Sequence, residues 1–378
     1  MSSAPSRRWR ALAALLAPAE IVAERPAVVP IEDWRALYGM ATAHLVAPSL
    51  YAGRQAWDER ASVPEDVREA LACLYLLNDD RNRRLRRVLR ETVAILNQAD
   101  IVPVLLKGAI ALLPDQYPLA FARVLGDLDL GVPADQVDRG GAALRAAGYF
   151  PAPHAEPVLW SAASAHHLLP LFHPSGDGYV EVHYALFSRA PQQAALPLAA
   201  VLARAETLDW EGLRIRIPAL ADRLLHNALH HQVQDRAFWS DRRSLRQLLE
   251  FARLRALPAA ADVDWPGLMM DLKRWGLADA VGAYLLAVRA LFGQPLPTGV
   301  QPSAAAHRAE ARFWRRLDSP RLDRLLAWHW QALCLARRLP NLPRRLMTPA
   351  WYPAKYRIWK RQWVARRRPG VADDSARR

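Results

Sequence analysis

Apolar and polar positions alternate with a helical period over residues 1–98. The clearest element there opens at Asp79 or Asp80, either of which suits an N-cap. It runs through Leu85, Val88, Leu89, Val93 and Leu96, with arginines on the remaining faces. From residue 101 the period shortens. Residues 101–106 are apolar and β-branched, which predicts a strand that ends at Lys107-Gly108. A helix is then expected to open at 109–113 and to stop at Pro114. A second strand is expected at about 124–132, and a helix from Pro133 through Leu144 closes at Gly148-Tyr149. Residues 167–172 and 179–186 form two more strand candidates, and 207–218, centred on Gly212, has the pattern of a hairpin. Helical spacing returns from Ala219 to about Leu339, where prolines introduce a basic tail. No internal repeat and no low-complexity linker interrupts this order. The pattern predicts an α/β (α+β) chain: a small mixed sheet flanked by helices, with helical segments before and after it. Its expected divisions are an N-terminal helical segment (1–98), a sheet-bearing core (99–218), a C-terminal helical domain (219–343) and a tail rich in Trp and Arg (344–378).

Composition narrows the class. Of the 378 residues, 52% are hydrophobic and 23% charged, which suits a globular chain and excludes a disordered one. No uninterrupted apolar run approaches the roughly 20 residues a spanning helix needs. Arg7, Arg8 and Arg10 precede the apolar residues 11–19 and imitate a weak leader. However, Glu20 and Glu24 follow at once, and Leu12, Leu15 and Leu16 have helical spacing, so an ordinary first helix is expected. Cys73 and Cys334 have no metal or redox spacing, and a cytoplasmic protein is expected. The net charge is +14, of which the eleven Lys/Arg and two Asp of residues 344–378 supply nine. A localised anionic partner therefore fits better than a nucleic-acid cradle over the whole surface.

The candidate chemistry lies in the stretch Leu125-Gly-Asp-Leu-Asp-Leu-Gly-Val132. On a strand, Asp127 and Asp129 share one face while Leu128 and Leu130 share the other. Two acids on one face of a buried strand repel each other and are costly to desolvate, so they need a compensating charge, for which a divalent metal is the usual choice. In the later strand Glu181 and His183 share a face, opposite Val180, Val182 and Tyr184. The order is strand, Lys-Gly turn, helix, Asp-x-Asp strand, helix and a later strand with one acid. In this respect the chain resembles the nucleotidyltransferase superfamily, the fold shared by DNA polymerase β-like enzymes. More narrowly, it resembles a bacterial nucleotidyltransferase-like family marked by Leu-Lys-Gly, then Arg and Asp-x-Asp, then Glu-x-His. The matching residues are Leu106-Lys107-Gly108, Arg123, Asp127-Leu-Asp129 and Glu181-Val-His183, over roughly residues 80 to 255.

That resemblance implies metal-dependent transfer of a nucleotidyl group from an NTP such as ATP to an acceptor, with pyrophosphate released. It implies that Asp127, Asp129 and Glu181 hold Mg²⁺ or Mn²⁺, since two cations about 4 Å apart can hold the attacking and leaving oxygens. Lys107, Gly108, Ala109 and Arg123 would meet the phosphates. Ala109 departs from the Gly-Ser or Gly-Gly pair of many superfamily members and lacks their hydroxyl. The acceptor (a small molecule, a saccharide or a peptide) is not legible.

Plainer readings stand beside these. Alternating acids also suit the wet face of an edge strand, and Glu181 with His183 also suit a solvent face. Lys107 and Arg123 suit a strand end and a surface. A catalytically degenerate, nucleotidyltransferase-fold binding or regulatory protein would carry the same pattern. His226 and His230 stand one helical turn apart, but Asn227 replaces the glutamate of a His-Glu-x-x-His zinc site. These two and His231 therefore read as structural, or as the acceptor side of a cleft. His166, His167 and His173 have no legible spacing and read as structural. In the tail, Trp351, Trp359 and Trp363 alternate with Lys355, Arg357, Lys360 and Arg361. This suits nucleic-acid stacking, a peripheral place at an anionic membrane, or a terminal helix packed on the body.

Overall fold

A computed structural model describes residues 4–17, 29–54, 63–116, 121–151 and 166–336. The basic tail lies outside the described residues. The helices are α1 (Ala4–Leu16), α2 (Trp34–Ala43), α3 (Ala47–Ala52), α4 (Glu65–Gln98), α5 (Val137–Ala146), α6 (Ala190–Ala195) and α7 (Leu198–Arg204). After the sheet come α8 (Leu220–Leu229), α9 (Ala237–Ser240), α10 (Leu245–Arg255), α11 (Trp265–Arg274), α12 (Ala278–Phe292), α13 (Ala304–Asp318) and α14 (Pro320–Ala336). The strands are β1 (Val104–Leu105), β2 (Leu128–Gly131), β3 (Phe150–Pro151), β4 (Leu171–Phe172), β5 (Tyr179–His183), β6 (Glu206–Trp210) and β7 (Leu213–Ile217). They form one mixed sheet in the order β3-β4-β5-β2-β1-β7-β6.

The resulting architecture is α/β, with helices flanking the sheet. β2 runs parallel to β5, β1 runs parallel to β7, and β1 pairs antiparallel with β2. The β6–β7 hairpin turns through Glu211 (φ +56°) and Gly212 (φ +78°), the two left-handed residues that a tight two-residue hairpin requires. One apolar core lies between α4, α5 and the sheet, with Leu85, Leu89, Val93, Leu128, Leu130, Val180 and Val182 inside it. A second core joins α1 to α3 with the C-terminal helices α8 to α13. The stretch that imitates a leader contributes Trp9, Leu12 and Leu16 to that second core. Among the described residues, no helix is long and apolar enough to cross a membrane.

Several boundaries differ from the sequence reading. Asp79 and Asp80 cap nothing. They lie inside the 34-residue α4, where they pair one turn on with Arg83 and Arg84. The helix starts instead at Glu65 behind Pro64, which has an extended φ of −57° and ψ of 141°. The second strand pairs only from Leu128, so Asp127 stands just before it rather than within it. Residues 107–112 form a 3₁₀ turn instead of an α-helix, and of residues 167–172 only Leu171–Phe172 are strand, with His167 in an isolated bridge to His183.

Candidate active site

The parallel pairing of β2 with β5 sets Asp129 directly beside Glu181 and Gly131 beside His183. Because side chains alternate along each strand, Asp129, Glu181 and His183 emerge on one face. Leu128, Leu130, Val180 and Val182 fill the core on the other. A ligand atom from each of Asp129, Glu181 and His183 lies within 4.8 Å of the others. Asp129 is 1% exposed and His183 fully buried, while Glu181 keeps some contact with solvent.

Asp129 is held ionised by its neighbours. Burial by itself would push its carboxyl up, but the Lys107 ammonium and the His183 ring outweigh this and hold it well below the usual carboxylate range. Lys107 Nζ donates to Asp129 Oδ1 at 2.7 Å, and His183 Nε2 meets the same oxygen at 2.8 Å. Both donors use one carboxylate oxygen, so neither needs the second. Burial opposes the Lys107 charge in turn, but Asp129, Asp127 and Glu181 together raise its pKa. Glu181 follows the same logic: desolvation would raise it, and the His183 hydrogen bond brings it below its ordinary value despite the nearby Asp129. His183 is raised, since its bonds to Asp129 and Glu181 overcome its burial.

Lys107 reaches Asp129 from an unusual backbone. At the end of β1 it has φ +45°, a left-handed conformation that costs a lysine energy and is kept only where the surroundings require it. The Leu106 amide, one residue earlier, donates to the Asp129 carbonyl at 3.0 Å and ties this bend to β2. Gly108 and Ala109 are buried. Ala109 directs its amide to the Leu106 carbonyl and its methyl group into the core, while Gly108 lies flat against the Arg123 guanidinium.

Arg123 is buried, and its Nε donates to Glu250 Oε2 at 2.8 Å. The loop carrying it is strapped by side chains from three helices, with Ser49 of α3 donating to the Ala122 carbonyl at 3.2 Å. Asn82 of α4 donates to the carbonyls of Phe121 and Arg123 at 2.7 and 2.8 Å, and Asn78 donates to that of Phe121 at 2.6 Å. Arg246 of α10 reaches the Val124 carbonyl at 2.8 Å, and Arg81 reaches that of Leu125. Asp127, at the end of this loop, is half-buried and close enough to Lys107 to favour its charge. The structure thus brings Lys107, Asp129 and Glu181 together. It leaves Asp127 outside the mutually close group of Asp129, Glu181 and His183, and it engages Arg123 with Glu250.

Lys107 and Arg123 also line a cleft enclosing about 510 Å³, counting the solvent at its mouth. Asp222, Arg223, His226 and His230 of the α8 region form the opposite wall, which puts the paired histidines of the sequence on the cleft. Burial holds His226 well below its ordinary pKa, with the Lys107 charge adding to the effect.

Two contributions were not foreseen. His183 is a member of the cluster itself, and His167 comes to 3.5 Å from Glu181. The Glu-x-His spacing was a signal for the first, whereas nothing in the spacing pointed to the second. The donor set of two carboxylates and an imidazole nitrogen, mutually close and mostly buried, fits a divalent cation.

No curated protein and no solved structure matches the chain. A family model described as an uncharacterised nucleotidyltransferase matches residues 30–293, from just before α2 to the end of α12 with the whole sheet between, and the chain belongs to that family.

Proposed function

We propose that the protein transfers a nucleotidyl group from an NTP to an acceptor hydroxyl or phosphate, with divalent cation held by Asp129 and Glu181. The observation that carries this reading is the side-by-side placement of these two acids on β2 and β5, facing the Lys107 turn at the edge of a cleft. In the reaction, the acceptor oxygen bonds to the α-phosphorus, the bond from that phosphorus to the bridging oxygen breaks, and pyrophosphate leaves. Divalent cation would neutralise charge on the phosphates and favour ionisation of the acceptor.

The chain's own groups divide the remaining work. Asp129 and Glu181 would hold the cation with His183 beside them, and Asp127, just before β2, would face the incoming nucleotide. Glu181, part exposed and ionised, would also orient or deprotonate the acceptor hydroxyl. Lys107 is the cation nearest the acids and would attract the triphosphate. Gly108 lets Arg123 stand close to the turn, where Glu250 fixes its orientation toward the cleft. Buried preorganised charge of this kind stabilises a developing anion without reorganisation during the reaction.

The test is incubation with α-labelled NTPs, Mg²⁺ or Mn²⁺ and cell extract, with wild type beside Asp129→Ala. Label should pass to an acceptor with the wild type alone. Equal labelling by a folded Asp129→Ala variant would refute the proposal.

A further inference from the structure

We propose that the wall of the cleft built by α8, with Gln247 of α10, binds the acceptor, and that the acceptor is an uncharged alcohol held by His226. This rests on the nucleotidyl-transfer reading and names the chemical class that receives the group.

His226 Nε2 is buried, yet among the described residues no protein group reaches it. The residue is 7% exposed and lines the cleft. A buried polar atom without a partner is costly, and in a cleft wall a bound molecule can supply the missing bond. Phe187 packs edge-on against the ring, with centroids 5.4 Å apart and planes at 90°, which restrains its direction. Beyond Leu229, α8 continues into a π turn over His230–Gln234, a distortion that recurs at functional sites. Through this turn His231 Nε2 accepts from the Ser244 amide at 3.2 Å, while His230 stays on the cleft.

A relay of side chains adds a donor to the same wall. Tyr284 Oη donates to Asn227 Oδ1 at 2.8 Å, and Asn227 Nδ2 donates to Gln247 Oε1 at 3.1 Å. Both amide oxygens are thereby engaged, and the relay ends at the Gln247 amide nitrogen, on a residue that lines the cleft.

These groups discriminate among acceptors. A hydroxyl both donates and accepts, so it satisfies Nε2 in either neutral tautomer, whereas a phosphate oxygen only accepts and an ammonium only donates. His226 stays neutral because burial holds its pKa well below its ordinary value. Of the Asp, Glu, Lys and Arg side chains on the cleft, Asp222 and Glu250 offset Arg123 and Arg223, which leaves Lys107 as the surplus. That one charge would meet the triphosphate. A second phosphate would then lack a counter-charge, and a cationic amine would be repelled. Leu106, Ile110 and Leu254 also line the cleft and suit the carbon skeleton of an alcohol. In the reaction the alcohol oxygen bonds to the α-phosphorus and its proton passes to Glu181. The bond to the bridging oxygen breaks, pyrophosphate leaves, and the product is a phosphodiester.

The experiment uses the full-length protein with α-labelled NTPs, Mg²⁺ or Mn²⁺, and cell extract as the acceptor source. Phosphorus NMR of the purified product reads the new linkage. Separate titrations of extract and NTP read half-saturation for wild type, His226→Leu and His226→Gln. Wild type should form a phosphodiester. His226→Leu should raise the half-saturating amount of extract about tenfold or more while changing that of NTP by no more than about twofold. His226→Gln, which keeps a hydrogen-bonding group near the position of Nε2, should recover most of the loss. A pyrophosphate or phosphoramidate product would overturn the alcohol and leave nucleotidyl transfer standing. A phosphodiester with His226→Leu unchanged, or with both half-saturations raised alike, would overturn the role of His226. A wild type that transfers no label would overturn both readings. If circular dichroism shows His226→Leu unfolded, Gln247→Leu takes its place: the same split between extract and NTP supports this wall as the acceptor site, and its absence overturns it.

Discussion

Replacing Gly108 with alanine tests how tightly the cleft is built. A Cβ on Gly108 would overlap Nη1 of Arg123, standing 3.1 Å from its Cζ and 3.0 Å from Leu125 Cδ2. An arginine tip would ordinarily swing aside at little cost. This one is 7% exposed at the side chain, bonded at 2.8 Å to a Glu250 that is 9% exposed, and its own carbonyl is held by Asn82. Moving the guanidinium leaves a buried carboxylate without its counter-charge, a loss in the range of about 3–5 kcal/mol when one partner is removed outright. Partial accommodation by Leu125 and Arg123 should bring the cost of Gly108→Ala to about 2–3 kcal/mol. Urea unfolding followed by circular dichroism measures this through the shift in midpoint. The mechanism makes a sharper demand in a double-mutant cycle. With Arg123→Ala the obstacle is gone, so Gly108→Ala should then cost under about 1 kcal/mol, a coupling of about 2 kcal/mol. A Gly108→Ala effect that is equal in both backgrounds would refute the reasoning.

Other outcomes follow from the same geometry. Lys107→Met removes the ammonium on Asp129 Oδ1 and leaves a buried carboxylate with His183, so stability should fall by about 2–3 kcal/mol in metal-free urea titrations. A change below about 0.5 kcal/mol would mean the pair contributes nothing net. Gly131→Ala would put a Cβ 2.7 Å from Val104 Cγ1 and 3.0 Å from Leu198 Cδ1, and this overpacking should lower the thermal midpoint at a cost of about 1–3 kcal/mol. His44, beside Trp9 and mostly buried, has its pKa lowered to about 4, chiefly by desolvation with His231 adding to it. The unfolded state therefore takes up this proton first. Stability is complete above about pH 6.5 and declines by up to about 3 kcal/mol as pH falls toward 4. His44→Gln should flatten that part of the stability-against-pH curve, and an identical slope in the variant would contradict it.

What the sequence disclosed, and what it hid, has a physical basis. Period-2 patterning in residues 179–183 placed Glu181 with His183 away from Val180 and Val182, because one face of β5 packs on the apolar core and a slip of register would turn Glu181 and His183 into it, away from their polar partners. The β6–β7 hairpin was legible from Gly212 for a comparable reason, since few residues tolerate its backbone. Asp79 and Asp80 misled because an acid before an apolar stripe has the same local signature whether it caps a helix or pairs one turn ahead within it. Asn78, Asn82 and Arg246 were silent, since their bonds go to backbone carbonyls far along the chain and carry no residue-type signal. The approach of His167 to Glu181 depends on a single isolated bridge, which leaves no periodicity to read.

The lysine at the end of β1 gives the molecule some independence from its supply of ions. Asp129 already has a positive partner drawn from its own polypeptide, so its buried charge is offset without a metal. On the proposed reading, an incoming cation would displace an internal substitute instead of filling a repulsive void. Loading would then be an exchange, and the ammonium it released would be left beside the cleft that Lys107 lines.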